Sequence, residues 1–420
     1  MSTTGPLNEL LTTLLERRPF QKRSDRNGAI NDLCMALLEE KTEVSGLQTA
    51  SAILDRYQDL EPDKLIDFFT FLNDKLDVDA EAIAKITAQY KSENSASNFK
   101  QLAHASEPRR QELFRRLNEV SGATAELVNM RADLLKLLKE TPILGRTDFD
   151  LVHLLRSWFN RGFLVLRQIT WDTSASILEK IIAYEAVHEI QNWDDLRRRL
   201  HPSDRRCFAF FHPAMPDDPL IFVEVALTKG VPGSIQKVLS DQRETLDASE
   251  ADTAVFYSIS NCQAGLAGIS FGDSLIKQVV RDLSHELLGI KRFVTLSPIP
   301  GFGRWTEKHG DKNMLEDTVN LKKIAAHYLL EAKKADGKPF DPVARFHLGN
   351  GAIVHMIHSE ADTSEKGMAQ SGGIMVNYLY DLNKISQNVG VFGNNDTVVA
   401  SSAVRSLAKQ AARYIPSDST

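Results

Sequence analysis

The feature that most constrains this chain is a change of period. From Leu7 to about Leu200 the apolar residues recur every three or four positions, as in Leu60, Leu65, Ile66, Phe69, Leu72 and Leu76, which is the spacing of helices that turn one face to a core. Glycine and proline are sparse there. Helix-start signals punctuate the stretch: Ser24-Asp25, Glu61-Pro62-Asp63, Ser106-Glu107-Pro108 and Asp172-Thr173-Ser174 each precede an apolar-periodic run. Six to eight helices and an all-helical domain over residues 1–200 are predicted. At Arg206 the helical spacing stops. Short β-branched or aromatic runs replace it, and residues 201–420 read as a second, α/β domain.

In that second half, Cys207–His212 and Leu220–Leu227 form two strands joined by a proline-bearing turn, and a helix follows from Ser234 to about Arg243. Thr253–Ser260, a glycine-bearing loop, a helix from Phe271 to Leu288 and the strand Phe293–Leu296 make a βαβ unit. A helix over Asn320–Ala335, strands Val343–His347, Ala352–His358 and Ile374–Tyr380, a surface loop Ser359–Gly373 and a last helix near Val399–Tyr414 complete the expectation. With 420 residues, two domains are favoured over one core.

Composition narrows the function classes. A net charge of −6 leaves no basic surplus for a phosphate backbone, so nucleic acid is a poor principal partner, though a local basic pocket for a small anion stays open. The clusters Arg109-Arg110, Arg115-Arg116 and Arg197-Arg198-Arg199 read as solvated helix faces. Cys34, Cys207 and Cys262 are too scattered for a disulfide framework or a metal knuckle, and His104, His153 and His188 have no partner at ligand spacing; no metal is expected. No run approaches the roughly 18 apolar residues of a membrane span. Met1–Pro6 lacks a secretory apolar core, so a cytoplasmic protein is expected.

Two strand ends offer chemistry. Ser297 follows Phe293–Leu296 and is held by Pro298-Ile299-Pro300, and His347 precedes Gly349 and Gly351. On their own, a serine before proline is usually a turn residue and a histidine in an apolar strand a core residue. The loop Gln263–Asp273 places glycines where a strand meets a helix, a junction that lets a backbone approach a phosphate. It is neither a dinucleotide fingerprint nor a P-loop. Tyr378 and Tyr380 share one face of the last strand by alternation, and His212 and Asn350 also sit at predicted strand ends. No Gly-x-Ser-x-Gly elbow occurs, which disfavours an acyl-serine route.

Several words, in order across roughly residues 205–382, resemble the malonyl-CoA decarboxylase family: Phe211-His212-Pro213, Val223–Thr228, Phe256–Ser260, Leu296–Phe302, Phe346-His347-Leu348 with Asn350-Gly351-Ala352, and Asn377-Tyr378 with Tyr380. The resemblance implies an α+β two-domain chain: an all-helical N-terminal bundle used in self-association, then an acetyltransferase-like (GNAT-type) α/β domain with a mixed sheet. It implies decarboxylation of malonyl-CoA to acetyl-CoA and CO2 without a cofactor, by a homo-oligomer, suspected to be a tetramer. Its catalytic pair falls on His347 as proton donor and Ser297 as acceptor or substrate-orienting group; Tyr380, by its own place at the end of an apolar strand, is the candidate to orient His347. Its acyl-CoA contact segment falls on Ala267, Gly268, Ile269, Ser270, Phe271, Gly272 and Asp273. Many members carry an acidic residue where Ser270 stands here, so the role of that carboxylate is not carried over, and Asp273 at a helix start reads as a cap. Other readings are a CoA-dependent acyltransferase with His347 as base, and a non-catalytic acyl-CoA sensor. The presence of both Ser297 and His347 argues against the sensor.

Overall fold

The structure is a computed structural model that describes residues 28–269, 272–309, 320–395 and 397–411. The Ser24-Asp25 start signal, Ser270 and Phe271 lie outside the described residues. The chain divides into two compact units, one of residues up to Trp158 together with Ala264–Ile269, the other of Phe159–Gln263 and the residues from 270 onward.

The first unit contains, among the described residues, eight α-helices: α1 (Ile30–Glu39), α2 (Glu43–Gln58), α3 (Pro62–Lys75), α4 (Ala80–Ser92), α5 (Ala96–Ala105), α6 (Arg109–Asn118), α7 (Ala123–Leu137) and α8 (Gly145–Trp158). Their starts follow local chemistry. Pro62 opens α3 behind Glu61, and the Asp79 carboxylate accepts from the amides of Glu81 and Ala82 at the head of α4. The apolar stripes meet in a core that includes Leu37, Ile53, Phe68, Phe69, Leu72, Phe114 and Leu117. Each such side chain contributes about 1.5–3 kcal/mol when withdrawn from water. A polar knot lies within it, where the buried Asp150 carboxylate receives both Arg110 and Gln111.

The second unit is built on a mixed sheet with, among the described residues, eight strands: β1 (Val165–Ile169), β2 (Arg205–Phe211), β3 (Ile221–Thr228), β4 (Thr253–Asn261), β5 (Arg292–Thr295), β6 (Ser297–Pro298), β7 (Ile353–His358) and β8 (Met375–Leu379). The order is β1-β2-β3-β4-β5-β8-β6, with β7 also on β8. Among these strands only the β4–β5 pair is parallel, as a βαβ crossover requires; its helix is α12 (Gly272–Glu286). The helices before it are α9 (Ala175–Tyr184), α10 (Trp193–Leu200) and α11 (Ile235–Leu239). After it come α13 (Phe302–His309), α14 (Leu321–Glu331), α15 (Pro342–Gly349), α16 (Glu365–Ser371), α17 (Ile385–Asn395) and α18 (Ser402–Ala411).

A helical first part followed by a mixed-sheet part is the expected architecture, and three local readings are corrected. Helix does not continue unbroken to Leu200, because Val165–Ile169 is a strand paired with β2; it is a largely exposed edge, so no alternation of apolar residues marks it. Ser359–Gly373 is not all loop: Ser364 caps α16 by accepting from the Gly367 amide. Most consequentially, Val343–His347 is helix rather than strand. The Asp341 carboxylate accepts from the amides of Val343 and Ala344 while Pro342 takes the first helical position, so capping decides the conformation over the apolar run.

Candidate active site

The change from strand to helix matters because α15 carries His347 in its last turn. The turn ends where the Asn350 amide bonds to the carbonyls of Phe346 and His347, and Gly351 follows at φ +87°. A Cβ on Gly351 would lie 2.6 Å from the Ile385 carbonyl oxygen, so the chain needs glycine twice over here, for conformation and for space.

Ser297 reaches the same place from the sheet. Val294 and Leu296 enter a core with Ala226, Val255 and Tyr257, so alternation turns Thr295 and Ser297 to the opposite face. There the Ser297 hydroxyl stands 3.3 Å from His347 Nε2, and the Tyr380 hydroxyl stands 2.7 Å from Nδ1. Relative exposures are 6% for Ser297 and 2% each for His347 and Tyr380. Tyr378, on the same face of β8, stacks on the imidazole with centroids 4.6 Å apart and 25° between planes. Phe256 meets the Tyr380 ring edge-on. Burial without a counter-charge pushes His347 down to about 3, and burial raises the hydroxyls of Tyr378 and Tyr380. At neutral pH the site therefore holds a neutral imidazole between two protonated hydroxyls.

Asp341 ties the two chemical segments together. One carboxylate oxygen caps α15; the other accepts from the Gly301 amide, in the turn that follows Ser297, at 3.2 Å and from the Tyr328 hydroxyl of α14 at 3.4 Å. A Cβ on Gly301 would come within 2.3 Å of the Tyr328 oxygen, which leaves glycine as the residue that fits.

Comparison with known proteins bears on what this arrangement is for. Residues 76–159 match the malonyl-CoA decarboxylase N-terminal domain, and residues 162–318 and 304–417 match the malonyl-CoA decarboxylase C-terminal domain. The chain is similar to a malonyl-CoA decarboxylase of Agrobacterium vitis, 47% identical, with a TM-score of 0.85 over 90% of this chain and 99% of that one. It is similar also to a malonyl-CoA decarboxylase of Rhodopseudomonas palustris, 46% identical, with a TM-score of 0.86 over 90% of this chain and 98% of that one. A mitochondrial malonyl-CoA decarboxylase of Anser anser anser is 36% identical over 353 residues, 72% of this chain and 70% of that protein. The chain belongs to the malonyl-CoA decarboxylase family. It is a decarboxylase, and the sheet and helices above are its family's fold.

Within this family member the structure brings Ser297, His347 and Tyr380 together. Ala267, Gly268 and Ile269 belong to the first unit, where the carbonyls of Gly265 and Ala267 accept from Arg131 and Gly268 takes φ +76°. Ser270 and Phe271 lie outside the described residues, and Gly272-Asp273 opens α12 in the second unit. His212 accepts the Ala214 amide on Nδ1 and packs on Phe159 and Phe163. Asn350 ends α15. Thr295, whose hydroxyl lies 2.8 Å from that of Ser297, and Asp341 were not marked by residue type; Asp341-Pro342 as a helix start was the available signal for the latter.

A cleft of about 940 Å³ in the second unit includes none of the three gathered residues. It is bounded by Glu185, His188, Arg199, Gln236, Asp362 and Lys366, among others. Its cations have partners: Arg199 bonds to Glu224 and Asp195, and Lys366 to the carbonyls of Ala186 and Val187. Among the described residues no group of three or more His, Cys, Asp or Glu is placed to hold a metal ion, and no helix is long and apolar enough to cross a membrane.

Proposed function

We propose that this enzyme decarboxylates malonyl-CoA to acetyl-CoA and CO2, with His347 giving the proton. Cleavage of the C–C bond sends its electron pair into the thioester, forming an enolate, and protonation at carbon completes acetyl-CoA; the reaction consumes one proton overall. The thioester is itself the electron sink, so this chemistry calls for no cofactor. The observation that carries the reading is the neutral, buried His347 bonded to Ser297 on one nitrogen and Tyr380 on the other.

A malonyl carboxylate arriving beside that ring brings negative charge, which favours the protonated imidazole. The proton is then loaded together with the substrate. Nε2–H faces the side of Ser297 and delivers to the enolate carbon, while Tyr380 accepts from Nδ1–H when the ring is charged and donates to Nδ1 when it is neutral. Ser297 orients the substrate and receives Nε2–H in the resting site. The stretch from Ala267 to Asp273 is the proposed acyl-CoA contact. A homotetramer, self-associating through the helical unit, in the cytoplasm is part of the same reading, and size-exclusion chromatography with light scattering reads the assembly.

The test is a discontinuous assay with malonyl-CoA and no added metal, following acetyl-CoA and CO2 for the parent, His347→Asn and Ser297→Ala. The expected result is equimolar products from the parent and losses of about a hundred-fold or more in both folded variants, the scale of lost acid–base catalysis. A parent that binds malonyl-CoA and releases no CO2 overturns the reading.

A further inference from the structure

Thr295 is the second side chain, besides His347, that the Ser297 hydroxyl meets. It is fully buried at the end of β5, and its hydroxyl oxygen lies 2.8 Å from Ser297 Oγ in a geometry that makes Ser297 the donor. The same oxygen accepts the Tyr378 amide at 3.1 Å, while the Thr295 carbonyl accepts the Asn377 side chain at 2.6 Å. A β-branched side chain has few χ1 choices, and these backbone bonds fix where its hydroxyl sits.

A serine hydroxyl has one proton to give. If Ser297 gives it to Thr295, its oxygen can only accept along the 3.3 Å contact to His347, which requires hydrogen on Nε2. Nδ1 then carries the lone pair, and the Tyr380 hydroxyl donates to it across 2.7 Å. Every bond in the row points one way: Tyr380 to His347, His347 to Ser297, Ser297 to Thr295. The opposite polarity, with Ser297 donating to Nε2, is the arrangement that makes a serine a nucleophile.

We propose that Thr295 is a positioning residue that sets this polarity: by taking the Ser297 proton it keeps His347 in the Nε2–H form and keeps Ser297 from acting as a nucleophile. The idea rests on the reading of His347 as proton donor, but its first test does not use turnover. In protein carrying 15N-labelled histidine, the His347 signals are assigned by their loss in His347→Asn. The substrate-free parent is expected to show a protonated Nε2 and an unprotonated, hydrogen-bonded Nδ1. Thr295→Val, which keeps shape and loses the hydroxyl, is expected to shift the ring toward the Nδ1–H form. Thr295→Ser is expected to restore the parent pattern. In turnover, Thr295→Val should lower kcat about ten-fold or more with KM nearly unchanged, as loss of positioned proton transfer does, and Thr295→Ser should recover most of it.

A parent whose His347 carries its proton on Nδ1 overturns the proposal, as does a folded Thr295→Val with an unchanged ring. Should Thr295→Val fail to fold, the parent and Thr295→Ser spectra decide: Nε2–H in both supports the proposal, and Nδ1–H in either overturns it. A parent with the expected ring form that releases no CO2 would instead remove the decarboxylase reading and leave the polarity standing.

Discussion

Tyr380 and Tyr378 touch one imidazole in different ways, and only the first spends its hydroxyl on it. Removing that hydroxyl in Tyr380→Phe leaves Nδ1 without its partner and the ring free to change form. We expect kcat to fall by about ten- to a hundred-fold, with KM for malonyl-CoA little altered and the melting temperature close to the parent's; a large rise in KM with kcat intact would mean that Tyr380 contacts substrate instead. The burial of His347 also has a stability consequence of definite sign. Its folded pKa lies near 3, while an unfolded histidine takes up its proton near 6.5, so between those values the unfolded chain binds more protons. The contribution is complete above about pH 6.5 and is lost as pH falls through that window. Melting curves from pH 7.5 down to 5 should therefore drop more steeply for the parent than for His347→Gln, which lacks the titration. Parallel slopes would show that His347 is not held neutral by its surroundings.

Whether an eight-residue segment is helix or strand decides which way the chemistry points, and α15 was the segment whose type the apolar pattern concealed. Two turns of helix are too short for a 3.6 period to outweigh a run such as Val343-Ala344-Arg345-Phe346. The βαβ unit was legible because its helix is long and periodic and its strands are flanked by turn residues. The Ser297–His347–Tyr380 meeting was legible through family words, whereas Thr295 and Asp341 act through neighbours and carry no mark of residue type. Asp341 gives the sharpest element-scale test. In Asp341→Asn one side-chain oxygen remains to cap α15, but Gly301 and Tyr328 no longer share a carboxylate; in Asp341→Ala both links go. The alanine variant should lose about 1–3 kcal/mol, the cost of a cap plus buried donors left open, and most of its kcat. The asparagine variant should fall between. Equal stability of alanine variant and parent by chemical denaturation would remove Asp341 from this role.

Taken as a whole chain, helices first and a mixed sheet after were legible in the change of period near Arg206, but the units divide after Trp158, and their stitching was not legible. The chain leaves the helical unit after Trp158 and returns to it for Ala264–Ile269, a stretch too short to announce membership of either unit by composition. What holds it there is specific. Gly265 packs so closely on α7 that a Cβ would fall 1.8 Å from the Val128 carbonyl oxygen. The buried Arg131 guanidinium donates to the carbonyls of Gly265 at 2.6 Å and Ala267 at 2.9 Å while pairing with Asp148 at 2.8 Å. Arg131→Met keeps the apolar stem and removes every donor, leaving two carbonyls and a carboxylate to find others. The helical unit should lose about 2–4 kcal/mol, seen as faster amide exchange in α7, α8 and residues 264–269. Gly265→Ala should produce the same pattern by sterics alone, since backbone cannot yield as a flexible side chain does. Exchange that rises in 264–269 while α7 stays protected would mean the segment is merely laid on the helical unit, and that the unit's stability is complete without it.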